Sequence, residues 1–428
     1  MLDIKFIREN PELIKMAASK KRSSFNVDEL VDIDKKRVEV LQKIEDLRAK
    51  QNAVSAEIPT ASQEIKAIKI QEMSLVKEEL KKFEEEMEKI METYKNLMLK
   101  VPNIPDMSVP EGQTDEDNQE VKSWGEVKTE KEFNFKPKNH IEIMEAQDWV
   151  DFERGIKVSG FRGYFLKGDV ALLDFAIWQY GMQRWAGKGF EPMLVPSLVK
   201  KETLYGSGYL PQGQDDLYND IDGDYFAGTG EVATMYYHAN EILEKKDLPK
   251  KFISFSPCFR KEAGAHGKDT KGLYRVHEFM KLEQVMLCEA NHEESVRHHE
   301  ELTRYAEEVL EEFNLPYRRV VNCGGDLGLG QVKKYDLEVW MPSQNKYGET
   351  NSSSYFHDFQ TRRLNIRYRD DDGKLKFVHS LNNTAIATPR LLLMILENYQ
   401  NKDGTVSIPE MLIPLMGGRK TIGKVVFN

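Results

Sequence analysis

The chain has 428 residues, 40% of them apolar, with 61 basic against 71 acidic side chains and a net charge of −10. That length supports a sizeable core in two or more domains, and the acidic balance excludes a uniform basic coat, so an RNA partner would have to meet a local basic surface. There is no apolar run of about 18 residues and no signal-peptide pattern at Met1, so a soluble, cytoplasmic protein with no membrane partner is expected, while three scattered cysteines, Cys258, Cys288 and Cys323, match neither a disulfide framework nor a CxxC zinc pair.

Asn10-Pro11-Glu12 places a capping residue before a proline at the first helical position, with Leu13, Ile14 and Met16 behind it, and predicts a short helix. From Val27 to Val101 the pattern is that of two long charged helices. In the second, Val76, Leu80, Phe83, Met87, Ile90, Tyr94 and Leu97 alternate steps of four and three; in the first, Val40, Ile44, Leu47, Gln51, Val54 and Ile58 do the same. Pro59-Thr60-Ala61-Ser62 reads as the hairpin tip, and at 1.5 Å per residue the arm would project about 45 to 55 Å. A dimerisation coiled coil or part of a helical bundle fits the same pattern. Lys35, Lys36, Arg37 and Lys43 on the first helix are placed to meet RNA phosphates, although the interleaved Asp32, Asp34 and Glu39 also fit an ordinary solvated face.

Residues 102–120 are rich in proline and acidic groups with little to bury, which predicts a linker between a helical domain over 1–101, its coiled coil over about 27–100, and a second domain over 121–428. In the second domain an amphipathic helix from Gly168 to Ala186 leads to a short strand closed by Pro196. Thr229-Gly230-Glu231 follows, a tripeptide that by itself reads as a helix cap.

The stretch 257–284 predicts two strands joined by a positively charged loop with Gly264, Gly267 and Gly272 as breakers and Lys268, Asp269 and Lys271 exposed. Arg275, Phe279 and Glu283 recur every fourth residue, which on a strand puts them on one face, and Glu262 lies two positions after Arg260 on the facing strand. Such a face offers guanidinium forks for phosphate, an aromatic plate for a base and carboxylates for an exocyclic amine. A cross-strand ion pair with Phe279 in the core fits the same spacing. Glu349 to Arg369 reads as a further strand with a basic end at Arg362, Arg363, Arg367 and Arg369, and Arg390 opens an apolar helix after Pro389.

Phe259-Arg260-x-Glu262 followed by Arg275-x-x-x-Phe279-x-x-x-Glu283 resembles motif 2 of the class II aminoacyl-tRNA synthetases, and E-A-G-x-x-G-K-D-T-K-G-L is similar to its form in the bacterial-type seryl-tRNA synthetases. The resemblance extends over nearly the whole chain: cap, long arm, V-P-N-I-P-D junction, a motif 1 helix and strand at 168–196, the Thr-x-Glu loop, the strand from Glu349 to Arg363, motif 3 ending in Arg390, and the tail I-P-E-M-L-I-P-L-M-G-G. The departures are Gly230 in the loop, Asn351 where serine is usual, Tyr355 where asparagine is usual, and a motif 3 that lacks its flexible glycines and carries Pro389 before the arginine.

The resemblance implies an α+β fold, an N-terminal antiparallel coiled-coil arm joined to a catalytic antiparallel sheet flanked by helices, working as a homodimer. It implies ATP-dependent activation of serine and its transfer to serine tRNA, with selenocysteine tRNA left open. It assigns ATP to Arg260, Glu262, Arg275, Phe279, Glu349, Ser352 and Arg390, with Arg260 and Arg390 catalytic and Mg²⁺ on Glu349 and Ser352. Serine falls to Thr229, Glu231, Arg260, Glu283, Asn382 and Thr384, and tRNA to Lys35, Lys36, Arg37, Lys43, Lys268 and Lys271. The alternatives are a paralogue that keeps the fold for a binding or regulatory role, which should lose Arg260, Glu283 or Arg390, and a ligase that loads a carrier protein, which should lack the arm; neither loss is seen.

Overall fold

The computed structural model describes residues 1–60, 62–263 and 271–426. The chain divides into two units, one formed by Leu2–Ser19 and Ser23–Pro102, the other by Lys20–Arg22 and Asn103–Asn428 together with Met1.

In the first unit, short helices α1 (Ile4–Glu9) and α2 (Pro11–Lys20) precede long helices α3 (Val27–Glu57) and α4 (Gln63–Met98). Proline opens α2 as expected, but its buried face is Ile14, Ala17 and Ala18, which are spaced three and four apart, while Leu13 at its margin and Met16 away from it are exposed. Asn26 caps α3 by accepting the amide of Asp28. The helices pack along the expected seam, with Val40, Ile44 and Val76 buried and Leu47, Val54, Leu80, Phe83, Met87, Ile90, Tyr94 and Leu97 half-buried. Ion pairs Arg48–Glu84 (2.7 Å) and Lys50–Glu72 (2.9 Å) flank it. Asp34 is fully buried and held by Arg8 (3.4 Å) and Arg37 (2.8 Å).

The second unit is built on a sheet of eight strands: β1 (Gln119–Trp124), β2 (Glu191–Leu194), β3 (Lys250–Phe259), β4 (Glu278–Cys288), β5 (Tyr317–Val321), β6 (Lys333–Met341), β7 (Lys346–His357) and β8 (His379–Thr388). Their order is β1-β5-β6-β7-β8-β4-β3-β2, and every neighbouring pair is antiparallel except β2 with β3. Its helices include α5 (Gly168–Gly187), α6 (Glu231–Tyr236), α7 (His292–Glu312), α8 (Phe359–Leu364) and α9 (Arg390–Asn398). Helices α5, α7 and α9 pack on the sheet and share one apolar core with Leu282 and Met286 of β4, Leu337 and Val339 of β6 and Ile386 of β8. By the period of two, Phe279, Lys281 and Glu283 point to the opposite face of β4; Val285 and Leu287 on that face pack into a second apolar cluster, so its polar positions are confined to the stretch nearer Glu278.

Two expectations are corrected here. The stretch 103–120 does not run free as a linker: the Asn103 amide donates to the carbonyls of Gly330 (2.9 Å) and Phe356 (2.8 Å), Asp106 accepts from the Tyr355 hydroxyl (2.9 Å), and Val109 is buried. Few as its apolar groups are, its backbone and amide groups find partners elsewhere in the second unit. Arg362 and Arg363 are not on a strand end but on α8, where Arg362 pairs with Asp358 (2.6 Å) and Arg363 lies 4.3 Å over the Phe359 ring. The chain turns off β7 at His357, whose φ is 50°.

Candidate active site

The site begins where β3 and β4 end their ladder. Cys258 faces Phe279 and Phe259 faces Glu278, and the Arg260 amide adds one more bond to the His277 carbonyl (2.9 Å). Beyond that point the period of two no longer operates. Glu262 lies past the end of β3 with φ 53°, and Arg275 lies three residues ahead of β4. The single face expected for Arg260, Glu262, Arg275, Phe279 and Glu283 is therefore a strand face only for Phe279 and Glu283. A different device brings Arg275 and Glu262 to the site: they form an ion pair at 3.2 Å. The Arg260 guanidinium lies 5.3 Å over the Phe279 ring, and its Nε donates to the Gly228 carbonyl (3.3 Å).

On the other side of β4, strand β8 pairs with it in a register that sets Leu282 opposite Ile386 but Glu283 opposite Thr384, so Ala385 is an extra residue. A second bulge lies one strand further on: Leu337 faces Asn351 and Glu338 faces Glu349, leaving Thr350 extra on β7. Bulges re-aim side chains and recur beside active sites.

A cavity of about 250 Å³ forms on this face. Arg260, Glu262, Arg275 and Phe279 line it from the β3–β4 end, and Glu349, Ser352, Thr384 and Arg390 from β7, β8 and the start of α9. All seven residues expected around ATP thus share one cavity. The residues expected around serine are divided. Thr384 and Arg260 are in this cavity, and Glu231 and Asn382 line another of about 290 Å³. Thr229 and Glu283 are buried without lining either. Thr229 Oγ1 accepts the Glu231 amide (3.2 Å), fixing the loop that opens α6.

The charges are organised in pairs. Arg390 meets Glu349 at 3.2 Å and lies 4.6 Å over the Tyr274 ring, whose hydroxyl donates to the Glu349 carbonyl (3.2 Å). The Glu349 carboxyl is held below its usual range: partial burial opposes this, and Arg390, Lys334 and Arg260 outweigh it. Glu283 takes its counterion from Lys281 (2.6 Å). Glu231 accepts from Gln360 (2.6 Å) and Tyr209 (3.3 Å), and burial, then the nearby Glu283 charge, pushes its carboxyl up to about 7. Lys334 lies 3.4 Å from Asp326 and 3.5 Å from Asp336.

Sequence reasoning missed Tyr274, Lys281, Lys334 and Gln360. Lys281 was within reach, since it sits midway between Phe279 and Glu283 at the strand period. Nothing in the spacing of the other three marks them.

Of the residues expected to meet tRNA, Lys35 pairs with Asp32 (3.5 Å) and Lys36 is exposed. Arg37 is engaged with Asp34 and lies 5.0 Å over Tyr94, and Lys43 lies 5.1 Å over Phe83, so both help to hold the hairpin. Lys271 is exposed, and Lys268, with Gly264, Gly267 and Asp269, lies outside the described residues.

A helix-flanked, mostly antiparallel sheet with Arg260 and Arg390 lining one cleft is the arrangement of a class II aminoacyl-tRNA synthetase core, and residues 220–399 match the tRNA synthetase class II core domain (G, H, P, S and T). Residues 1–105 match the seryl-tRNA synthetase N-terminal domain. The chain is 44% identical over 428 residues to the serine–tRNA ligase of Deinococcus radiodurans, covering 100% of both, and 46% identical over 424 residues to that of Petrotoga mobilis, covering 97% of this chain and 99% of the other. Among solved structures, the seryl-tRNA synthetase of Pyrococcus horikoshii complexed with ATP superposes with a TM-score of 0.91 at 39% identity, covering 99% and 100% of the two chains. The cytoplasmic serine–tRNA ligase of Naegleria fowleri in complex with AMP gives 0.87 at 32%, covering 99% of each. The chain belongs to the seryl-tRNA synthetase family.

Proposed function

We propose that the chain is a serine–tRNA ligase that joins serine to AMP at the expense of ATP and passes the seryl group to the terminal ribose hydroxyl of serine tRNA. In the first step a serine carboxylate oxygen attacks the α-phosphorus and the bond to the β-phosphate bridge breaks, releasing pyrophosphate. In the second the ribose oxygen attacks the acyl carbonyl and AMP leaves. The observation that carries this reading is the convergence of Arg260, Glu262, Arg275, Phe279, Glu349, Ser352 and Arg390 on one cavity that reaches Thr384, opposite Glu283.

No nucleophile from the chain is needed. Arg260 follows the charge that develops at the α-phosphate, Arg390 takes the γ-phosphate, and Phe279 supplies the plate for adenine; catalysis is positioning and charge stabilisation. Glu231 and Thr229 hold the serine ammonium, with Asn382 beside them, and Glu283 and Thr384 receive its hydroxyl. Glu349 and Ser352 present oxygen donors on the cavity wall, the donor type a hard divalent cation takes, and the Glu349 carboxyl is held ionised, so these two would hold Mg²⁺. When bound, Mg²⁺ neutralises phosphate oxygens.

The arm takes the tRNA, with Lys35 and Lys36 the cations least committed to the hairpin and Lys271 near the motif 2 loop. Two copies pair through α5 and β2: Leu172 and Phe175 on the helix and Leu194 on the edge strand are exposed, and an apolar patch beside an open sheet edge is the kind of surface that a second copy covers. Among the described residues no helix is long and apolar enough to cross a membrane, in keeping with work in the cytoplasm. ATP–pyrophosphate exchange measured with each of the twenty amino acids tests the reading. Serine alone should support exchange and then charge serine tRNA; exchange with another amino acid and not with serine overturns it.

A further inference from the structure

The two bulges beside the cavity face each other across the seam between β7 and β8, and one side chain joins them. The β7–β8 ladder pairs Tyr355 with Leu381, Ser354 with Asn382 and Ser353 with Asn383, and goes no further toward the cavity. The next positions, Ser352 and Asn351 against Thr384 and Ala385, lie where each strand carries its extra residue. There the Asn351 side chain takes over. Its Nδ2 donates to the Thr384 carbonyl (2.8 Å) and the Ala385 carbonyl (3.0 Å), and its Oδ1 accepts from Thr350 Oγ1 (2.7 Å).

Consecutive carbonyls of a regular strand point to opposite sides, so one amide reaches both only where the strand is bulged. Asn351 is buried, lines neither cavity and therefore touches no substrate in the reading above. What it fixes is the backbone of Thr384, which lies opposite Glu283, and the bulge that immediately follows Glu349.

We propose that Asn351 is a positioning residue: by tying the bulge of β7 to the bulge of β8 it aims the Thr384 hydroxyl at the serine side chain and sets the selectivity of the pocket. The inference rests on the serine–tRNA ligase reading. A nearby asparagine supplies the comparison. Asn383, also buried on β8, donates to Gln284 (2.6 Å) and to the Leu302 carbonyl (3.1 Å), away from Thr384.

The test is the ratio of kcat/KM for serine over alanine in pyrophosphate exchange with the full chain, for wild type, Asn351→Ala, Asn351→Ser and Asn383→Ala, with Tm measured for each. Asn351→Ala should lower the ratio about tenfold, mainly through KM for serine, as two hydrogen bonds to a critical segment are lost. Asn351→Ser, which keeps one donor, should fall between. Asn383→Ala should lower Tm with the ratio unchanged. If Asn351→Ala does not fold, Asn351→Asp, of the same size but without the amide donor, takes its place with the same expected fall. An unchanged ratio in the folded Asn351 variants, or an equal fall in Asn383→Ala, overturns the positioning role. Absence of serine-dependent exchange in the wild type overturns both this inference and the reading beneath it.

Discussion

Arg390 and Glu349 are each other's partner, 3.2 Å apart on the cavity wall, although the γ-phosphate assigned to one and the Mg²⁺ assigned to the other carry opposite charges. An ion pair of that kind is a stand-in. If Arg390 takes the γ-phosphate and Glu349 the Mg²⁺, binding of nucleotide with its cation would exchange this one internal pair for two external ones.

Arg390→Ala should therefore lower kcat for pyrophosphate exchange by about 100-fold. Glu349→Gln should raise the Mg²⁺ concentration needed for half-maximal exchange while the protein remains folded. A magnesium titration of both variants checks the assignment, and an unchanged magnesium requirement in Glu349→Gln contradicts it.

Arg260→Ala should slow adenylate formation by about 3 kcal/mol in activation free energy and weaken ATP binding far less, because its guanidinium is assigned to charge that develops during the reaction. Arg260→Lys should recover little, since the fork and the planar contact 5.3 Å over Phe279 are both lost. Single-turnover rates against ATP affinity separate the two effects.

Glu283 and Thr384 stand opposite each other in the β4–β8 register, and Glu283 is buried with Lys281 as its counterion. Alanine would deny both groups the hydrogen bond proposed to the serine hydroxyl, although Glu283 keeps Lys281, at a cost of about 1 to 3 kcal/mol each. Glu283→Gln and Thr384→Val should lose serine activation without gaining alanine activation, so the serine-to-alanine ratio of kcat/KM collapses. A constant ratio with serine activation intact would place the hydroxyl elsewhere.

The reach of the sequence ended where regular periodicity ended. The heptad steps of Val76 to Leu97 found the seam of α4, because every turn of a long helix repeats the same demand. Period two placed Phe279 and Glu283 correctly on β4. It failed for Glu262 and Arg275, which lie beyond the strands and meet through an ion pair, and it gave no sign of the bulges at Thr350 and Ala385. The short helix α1 also went unread, since six residues carry too little pattern. The cavity's chemistry was legible through resemblance, whereas Tyr274, Lys334 and Gln360 emerged only once distant segments were in place.

Glu231 predicts a pH dependence. Its carboxyl is raised to about 7 by burial and by Glu283, so below that pH the protein must release a proton to receive the serine ammonium. KM for serine should fall about fivefold from pH 6 to pH 7 and about twofold more by pH 8 before levelling off, and Glu231→Gln should flatten the profile. The stability sign is the reverse. The folded state holds this proton between roughly pH 4.5 and 7 where the unfolded chain has lost it, so folding stability declines as pH rises through that window, and Glu231→Gln should raise Tm at pH 8 but not at pH 4.5.

Helices α3 and α4 bury most of their apolar seam against each other, and the base of α3 also meets the short helices, through Asp34 with Arg8 and Asp28 with Lys15 among the described residues. Deleting Asp28 to Lys100 should spare serine-dependent exchange and reduce tRNA charging by about 100-fold or more, the equivalent of about 2.7 kcal/mol of lost binding. Loss of both activities in a folded deletion would contradict the separation of roles.

Strand β2 ends the sheet on one side, with β3 its one strand partner among the described residues, while Leu194 at its end is 82% exposed and Phe175 on α5 is 72% exposed. If a second copy covers that edge, mass action links the integrity of each sheet to the amount of enzyme present. Dilution then does more than thin out active sites: it shifts protein toward a form with an uncapped strand, and specific activity per chain becomes a function of how many chains the cell keeps.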